Sequence, residues 1–320
     1  MDSPPQPMTS TARNSIRDRS RHALFVIRIA KTVAMAATLA LAACQPAVLD
    51  PRGPIAAANR TILIDSLAIM LAIVIPTILA TVAFAWWYRA GNKKATYLPA
   101  WEFSGRIEMI VWAIPTMTIV LLGGVIWIGA HQLDPAQPIA SNEPAIEIQV
   151  VSLDWKWLFI YPEQRVASIN QLTVPAGRPL HFTLTSSSVM NTFFVPQLGS
   201  MIYTMNGMQT ELYLQADAPG TFRGMSGHYS GEGFSDMHFE VKALASEDFA
   251  RWINTTRDRG PTLDAAGYTA LAEQSINLPP STYSSVDRDL FKQIVSQQLK
   301  PGPGPELARE GIAGKPEIKQ

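Results

Sequence analysis

The histidines of this sequence are the side chains that most directly suggest metal chemistry. His181, His228 and His238 lie in a region of short strand-like runs, and that region contains no cysteine. A blue-copper site needs one thiolate beside two histidines, and a dinuclear copper site needs two thiolates. Because the sequence does not place these histidines together, we interpret them as solvated or core side chains rather than as metal ligands.

The only cysteine, Cys44, ends a segment of another kind. Basic residues precede a short apolar stretch, Thr32 to Ala43, which is too short to span a membrane and predicts the hydrophobic region of a signal peptide. The Leu-Ala-Ala tripeptide before Cys44 resembles a bacterial lipobox, in which the thiol is lipidated and becomes the mature N-terminus. We predict a lipoprotein signal peptide over residues 1–43 and a lipid such as palmitate on Cys44. A chance run of small residues beside a buried thiol is the alternative, and the long basic region also fits a start at Met8.

Composition places much of the chain in a membrane. The 320 residues carry 26 Lys+Arg, 26 Asp+Glu and one cysteine, which argues against a basic nucleic-acid binder and a disulfide-stapled secreted domain. Residues 66–88 and 109–130 contain no charged residue. Each run spans roughly 33 Å as a helix, enough for a hydrocarbon core of about 30 Å. We therefore predict a transmembrane hairpin over residues 62–131, in preference to buried helices of a soluble protein.

Charged residues indicate the orientation of this hairpin. The connecting loop, residues 89–108, carries Arg89, Lys93, Lys94 and Arg106. The positive-inside rule therefore places the loop in the cytoplasm. The segment 44–61 and the long part of the chain after the hairpin then lie outside, in the periplasm of a Gram-negative cell.

Short strand-like runs follow a linker at residues 132–144. They are separated by turn signals such as Pro175-Ala-Gly. The predicted strands lie at residues 146–153, 156–161, 171–174, 180–185, 211–214 and 237–241. This pattern predicts a β-sandwich over residues 145–245. Residues 246–300 predict a helical arm, with helices at 247–258, 263–274 and 287–299, and residues 301–320 predict a disordered tail.

Several segments from Cys44 to Leu299 carry a family resemblance. They are Leu49-Asp-Pro-Arg-Gly-Pro, Phe84-Ala-Trp-Trp-Tyr-Arg89, Val151-Ser-Leu-Asp-Trp-Lys-Trp157, Ser188-Val-Met-Asn-Thr-Phe-Phe-Val-Pro-Gln-Leu-Gly-Ser200, Met208-Gln-Thr and Tyr229-Ser-Gly-Glu-Gly-Phe-Ser. With them, the chain resembles subunit II of the cytochrome bo-type ubiquinol oxidases, within the haem–copper oxidase family. The resemblance implies a membrane-anchored α+β fold: a two-helix transmembrane hairpin, a periplasmic cupredoxin-like β-sandwich and a short helical, aromatic-rich C-terminal arm with Tyr283 and Phe291.

The departures from the copper-bearing members of that family are equally informative. Their dinuclear CuA loop reads C-x-x-x-C-x-x-x-H-x-x-M, and a further histidine ligand precedes it. Here the loop runs from Ser226 to Met237 with the spacing kept and the ligand types changed. The corresponding positions are Asn191, Ser226, His228, Ser230, Phe234 and Met237. A hydroxyl and a lone thioether are poor ligands for a mixed-valence copper pair, so we predict no metal in this chain.

The resemblance also implies partners and roles. Haem and copper are expected in the partner subunit I, which would pass electrons from ubiquinol to O2, and smaller membrane subunits would complete a proton-translocating oxidase. This chain would be a structural and assembly subunit without catalytic residues of its own. Glu108, at the cytoplasmic start of the second helix, would lie near a proton-pathway entrance, although a solvated boundary carboxylate is the alternative. Trp155 and Trp157 are interpreted as packing or interface aromatics.

Two other functions are alternatives to this one. A stand-alone membrane lipoprotein of cupredoxin fold, acting as a binding or scaffold module, would also lack redox ligands. The proline- and glycine-containing hairpin favours packing against other membrane helices, and Gly123 and Gly124 would permit close approach. A cytochrome c oxidase subunit with a CuA centre is excluded by the single cysteine.

Overall fold

The computed structural model describes residues 47–96 and 98–304, and the predicted signal peptide and Cys44 lie outside these residues. Ala47–Leu49 forms one 3-10 turn. Two long helices follow, Pro54–Trp87 (α1) and Gly105–Gln132 (α2), and both are long and apolar enough to cross a membrane. At 34 residues, α1 measures roughly 51 Å, well beyond the thickness of a hydrocarbon core.

The first turns of α1 account for the excess length. The sequence predicted a separate segment up to residue 61, but the helix already begins at Pro54, where the fixed φ of proline suits the first helical position. This end lies against the sandwich: Ala56 N donates to Leu198 O at 3.2 Å, and Asn59 Nδ2 donates to Ser200 Oγ at 3.0 Å. Polar anchoring therefore ties the start of α1 to the outer domain.

The outer domain is a sandwich of two sheets. Its strands are Ile146–Leu153 (β1), Lys156–Tyr161 (β2), Val166–Ile169 (β3), Gln171–Pro175 (β4), Leu180–Ser186 (β5), Asn191–Phe194 (β6), Ile202–Thr204 (β7), Thr210–Leu214 (β8), Gly220–Ser226 (β9) and His238–Leu244 (β10). One sheet has the order β3-β2-β1-β5-β8, and the other has the order β4-β10-β9-β6-β7. The pairs β1–β5 and β4–β10 are parallel. The predicted fold class, a helix hairpin followed by a β-sandwich, is confirmed.

Aromatic side chains fill the space between the two sheets. Trp157, Phe159, Phe182 and Phe193 are fully buried, and Phe239 is 2% exposed. The Trp157 ring lies 5.5 Å from both the Phe193 and Phe239 rings. Such rings bury large apolar areas and make offset or edge contacts, so they stabilise the core between the two sheets.

A C-terminal arm, residues 246–304, covers the outer face of the first sheet. It contains Ser246–Asp258 (α3), Thr262–Leu263 (β11), Ala265–Ala272 (α4), Ser281–Tyr283 (β12), Ser285–Val286 (β13) and Leu290–Val295 (α5). β12 adds a sixth strand beside β3, and β11 pairs with β13. Apolar residues of β1, β2 and β3 pack against the arm in a second core cluster. This sheet is therefore buried on both faces, which explains its nearly continuous apolar runs.

The arm contains helices, as predicted, but two of them are shorter than expected. The helices predicted at 263–274 and 287–299 are shorter, and three short strands lie beside them. Residues 301–304, predicted to be part of a disordered tail, bind the sandwich: Gly302 N donates to Ser187 O at 3.0 Å, and Gly304 N donates to Asp154 Oδ2 at 2.9 Å. The rest of that tail lies outside the described residues.

Candidate functional site

The six positions that the sequence resemblance predicts to correspond to copper ligands come together at one end of the sandwich. Ser226 Oγ donates to Asn191 Oδ1 at 3.2 Å, and Ser226 N donates to Met237 O at 3.0 Å. Ser230 Oγ lies 3.8 Å from Met237 Sδ. β6 supplies Asn191, the end of β9 supplies Ser226, and the loop from there to Met237, hereafter the 226–237 loop, supplies the others.

Two positions of this set lie nearer the surface. His228 and Phe234 are half-buried, whereas Asn191, Ser226, Ser230 and Met237 are buried. His228 packs edge-on against Tyr203, with ring centroids 6.0 Å apart, and its backbone carbonyl accepts a hydrogen bond from Ser226 Oγ. The buried part of the site is thus a small hydrogen-bonded cluster of amide and hydroxyl groups beside one thioether.

The donor set of this cluster does not suit a dinuclear copper centre. Amide and hydroxyl oxygens are hard ligands, and copper in such sites is held by thiolates and imidazoles. Within residues 47–96 and 98–304, no group of three or more His, Cys, Asp or Glu side chains is placed to hold a metal ion. The cluster satisfies its own hydrogen bonds instead, and this stabilises a buried polar site.

The remaining histidines lie in separate surroundings. His181 stacks on Tyr213, with ring centroids 4.4 Å apart, and its Nδ1 lies 2.8 Å from Glu147 Oε2. These residues occupy neighbouring strands β1, β5 and β8. His238 is exposed at the start of β10. The structure therefore does not bring the three histidines into one site.

The turn between β1 and β2 lies directly beneath the 226–237 loop. Leu153 pairs with Lys156, so Asp154 and Trp155 form the turn. Trp155 has a φ of 63°, in the left-handed region that costs an ordinary residue roughly 1–2 kcal/mol. Its Nε1 donates to Ser230 O at 2.9 Å, and a Cβ on Gly233 would lie 2.4 Å from its ring. Glycine at position 233 thus allows the ring to pack under the loop.

Trp155 and Trp157 are packing residues in this structure. Trp155 is 7% exposed and Trp157 is fully buried. Neither ring is presented to a soluble donor protein, in agreement with the interpretation from the sequence.

Two charged residues beside Trp155 were not singled out as site residues from the sequence. Asp154 is 3% exposed and Lys156 is 1% exposed. Lys156 Nζ donates to Glu273 O at 2.5 Å and to Ser275 Oγ at 2.6 Å, both in the arm. Burial lowers the pKa of Lys156 from 10.5 to about 8, and the charges of Asp154 and Glu273 oppose part of this shift. The sequence did contain a signal for this site, because Asp154 and Lys156 are charged residues between two apolar strand runs.

The lowered pKa of Lys156 predicts a pH-dependent stability. Between about pH 8 and pH 10.5 the unfolded chain retains the proton that the folded chain has released, so the free energy of unfolding should rise across this window. Replacing Lys156 with methionine should abolish this part of the rise, and Lys242→Met, at a half-buried lysine of β10 that pairs with Glu240, should retain it. Denaturation midpoints at pH 7 and pH 9 measure the rise in the free energy of unfolding in each variant. Equal slopes in the two variants would contradict the prediction.

Glu108 lies far along the chain from this cluster, in the first turn of α2. Its side chain is exposed within this chain. Arg106 and the lysines Lys93 and Lys94 of the connecting loop lie near Glu108 in the sequence, at the same end of the hairpin. The carboxylate therefore lies at the boundary predicted for the cytoplasmic side, open to a neighbouring subunit or to water.

Two residues of the 226–237 loop and two residues beside it form an apolar rim on the surface of the domain. Met201, Tyr203 and Tyr229 are 55%, 47% and 69% exposed. Tyr229 packs edge-on against Phe234, with ring centroids 5.6 Å apart. A group of large exposed apolar side chains at one end of a domain is typical of a surface that contacts another protein. We call these four residues the loop rim.

These features define a class of protein: a β-sandwich subunit anchored by a membrane hairpin, with a hydrogen-bonded cluster at the loop end and an arm over one sheet. A family model described as the COX Aromatic Rich Motif matches residues 257–302, within that arm.

Relatives match nearly the whole chain. Cytochrome bo(3) ubiquinol oxidase subunit 2 of Pseudomonas aeruginosa is 43% identical over 284 residues, which cover 89% of this chain and 86% of the relative. Ubiquinol oxidase subunit 2 of Acetobacter aceti is 44% identical over 272 residues, covering 84% and 88%. The chain therefore belongs to the ubiquinol oxidase subunit 2 family, as the sequence resemblance predicted. Among solved structures, the periplasmic domain of subunit II of cytochrome oxidase from Bradyrhizobium japonicum is 21% identical, covers 36% of this chain and 96% of its own, and superposes with a TM-score of 0.34.

Proposed function

We propose that this chain is a structural and assembly subunit of a proton-translocating ubiquinol oxidase and carries no redox centre of its own. Electrons would pass from ubiquinol to haem and copper in the partner subunit I, where O2 is reduced to water. The observation that carries the proposal is the 43% identity to a ubiquinol oxidase subunit 2 over 89% of the chain. The 226–237 loop contains no cysteine and has Phe234 where the copper-bearing relatives carry a histidine ligand, which supports the second part.

A membrane-dissolved electron donor explains why such a sandwich needs no metal. Quinol reaches its oxidising site within the bilayer, so no relay has to collect electrons from a soluble protein outside. The fully buried Trp157 and nearly buried Trp155 fit this role, because neither offers an exposed ring to a donor. The sandwich would then act through its surfaces, and the loop rim is the surface we assign to subunit I.

The hairpin supplies a second contact surface. Side chains of α1 and α2 are exposed along most of both helices, as expected for helices that contact lipid or other membrane helices. Nothing in the described part of the chain lies within 4 Å of a Cβ built at Gly123 or Gly124. This bare stretch of α2 can therefore admit a helix of subunit I or of a smaller membrane subunit.

Co-purification tests the assignment of partners. A tag on this chain should bring down a haem-containing membrane subunit, and cells lacking the chain should lose assembled oxidase. A tagged chain that purifies without haem would instead support the stand-alone lipoprotein.

We further propose that Glu108 serves proton uptake from the cytoplasm. Glu108→Ala should lower quinol-driven oxygen uptake several-fold with normal haem content, because it removes a carboxylate at the start of α2. Glu102→Ala is the matched control, since Glu102 is an exposed carboxylate in the preceding loop. Turnover that is unchanged in Glu108→Ala, or reduced equally in both variants, would remove Glu108 from the mechanism.

We also propose that the chain is a lipoprotein of the bacterial inner membrane, with its sandwich in the periplasm. Acylation of Cys44 would fix the mature N-terminus on the same side as the sandwich. Intact-mass analysis should show a chain that begins at Cys44 and carries acyl groups, and Cys44→Ala should lose both the cleavage and the label from palmitate. Palmitate incorporated by the Cys44→Ala variant would refute acylation at this residue.

A further inference from the structure

Three consecutive residues of the β1–β2 turn hold two different parts of the chain. Asp154 and Lys156 bind the C-terminal arm, and Trp155 between them binds the 226–237 loop. The arm partners lie 117 and 150 positions away from the turn, and the loop partner lies 75 positions away. One tight turn is thus the physical link between the arm and the loop.

The arm side of this link is built from buried polar contacts. Gly304 N of the arm donates to one Asp154 oxygen at 2.9 Å, whereas Ser188 Oγ, which belongs to the sandwich, donates to the other. Lys156 Nζ donates to Glu273 O and Ser275 Oγ, which follow helix α4 of the arm. Buried charges are costly unless their hydrogen bonds are made. If the arm separates, Lys156 loses Glu273 and Ser275, and Asp154 loses Gly304 while retaining Ser188, so both charges must gain water in place of these partners and the turn has to move.

The loop side depends on one side chain. Trp155 Nε1 binds Ser230 O, and the Trp155 ring lies against Gly233 at a distance that leaves no room for a Cβ. The left-handed backbone at Trp155 fixes the direction in which this ring leaves the turn. A shift of Asp154 or Lys156 therefore displaces the ring from beneath the loop.

We propose that docking of the C-terminal arm locks the conformation of the 226–237 loop through Trp155. The arm thereby sets the shape of the surface that the loop rim presents to subunit I, a consequence that rests on the proposed function. An arm that has not docked would leave the loop mobile and the partner surface unformed.

Two C-terminal truncations provide a matched test. A chain ending at Lys300 loses Gly302 and Gly304 but keeps β12 and α5, whereas a chain ending at Pro305 keeps both glycines. Amide hydrogen exchange is followed by mass spectrometry in peptides covering residues 226–237. The Lys300 truncation should exchange roughly tenfold faster there than the full chain, as expected when a hydrogen bond to a charged group is lost, and the Pro305 truncation should match the full chain.

Two further variants separate coupling from general destabilisation. Ser275→Ala weakens the Lys156 contact and should also accelerate exchange in the loop. Trp155→Phe removes the bond to Ser230 O, so truncation at Lys300 should have little additional effect in that background. Unchanged loop exchange, or acceleration that is uniform over both sheets, would overturn the lock. Because exchange is measured on the full-length or truncated chain purified from membranes, the result is independent of whether that preparation oxidises quinol.

Discussion

Replacing Trp155 with alanine is expected to lower the free energy of unfolding of the outer domain by about 3–5 kcal/mol, the range for a buried large-to-small change. Trp155 is only 7% exposed, and the substitution also removes the hydrogen bond from its Nε1 to Ser230 O. Such a loss is a large share of a typical domain stability. We therefore expect little assembled oxidase in cells that carry this variant.

Denaturation midpoints of the purified chain, together with membrane haem content, measure the effect. Trp101→Ala is a suitable control, because Trp101 lies in the connecting loop and is 59% exposed. Gly233→Ala should be costly in the natural chain and nearly neutral in Trp155→Ala, since its Cβ collides with the ring that the second variant removes. Additive effects of the two substitutions would contradict the packing described here.

Copper uptake is expected when the ligand types of the copper-bearing relatives are restored. The change comprises Asn191→His, Ser226→Cys, His228→Glu, Ser230→Cys and Phe234→His, with Met237 kept. Ser226 Oγ lies 3.2 Å from Asn191 Oδ1 and Ser230 Oγ lies 3.8 Å from Met237 Sδ, so a thiolate at each position would adjoin another of the restored or retained ligands. Two thiolates with two imidazoles form a soft donor set suited to copper.

Elemental analysis and electron paramagnetic resonance of the purified protein test this expectation. The variant with all five substitutions should bind two copper ions per chain and show the signal of a mixed-valence pair. A control with both cysteines returned to serine should bind little copper. If the variant with all five substitutions folds but stays free of copper, the six positions do not correspond to the ligand positions of the relatives.

The hairpin and six of the ten sandwich strands could be predicted from local patterns. Charge-free runs reveal the two helices, and β1 and β2 show the apolar residues of strands with buried faces. β9 was missed because it contains Gly220 and Gly224, which disfavour a strand in isolation. Its Gly224 is required by packing, since a Cβ there would lie 2.1 Å from the Phe239 ring.

The arm and its contacts were less predictable for a different reason. β12 is three residues long and forms only because β3 offers a free edge. The arm partners of Asp154 and Lys156 lie more than a hundred positions away, and no local pattern indicates them. The six loop positions could be grouped beforehand only through the spacing kept from the family resemblance. The sequence therefore predicts local elements well and distant polar contacts poorly.

Oxygen uptake by the complex purified through a tag on this chain tests the central claim most directly. Uptake should be rapid with a soluble ubiquinol analogue and absent with reduced cytochrome c, because under the proposed function the chain has no metal centre that could accept electrons from a soluble donor. Sustained uptake with cytochrome c, or a purified complex without haem and without uptake, would contradict the assignment as a quinol oxidase subunit without a redox centre.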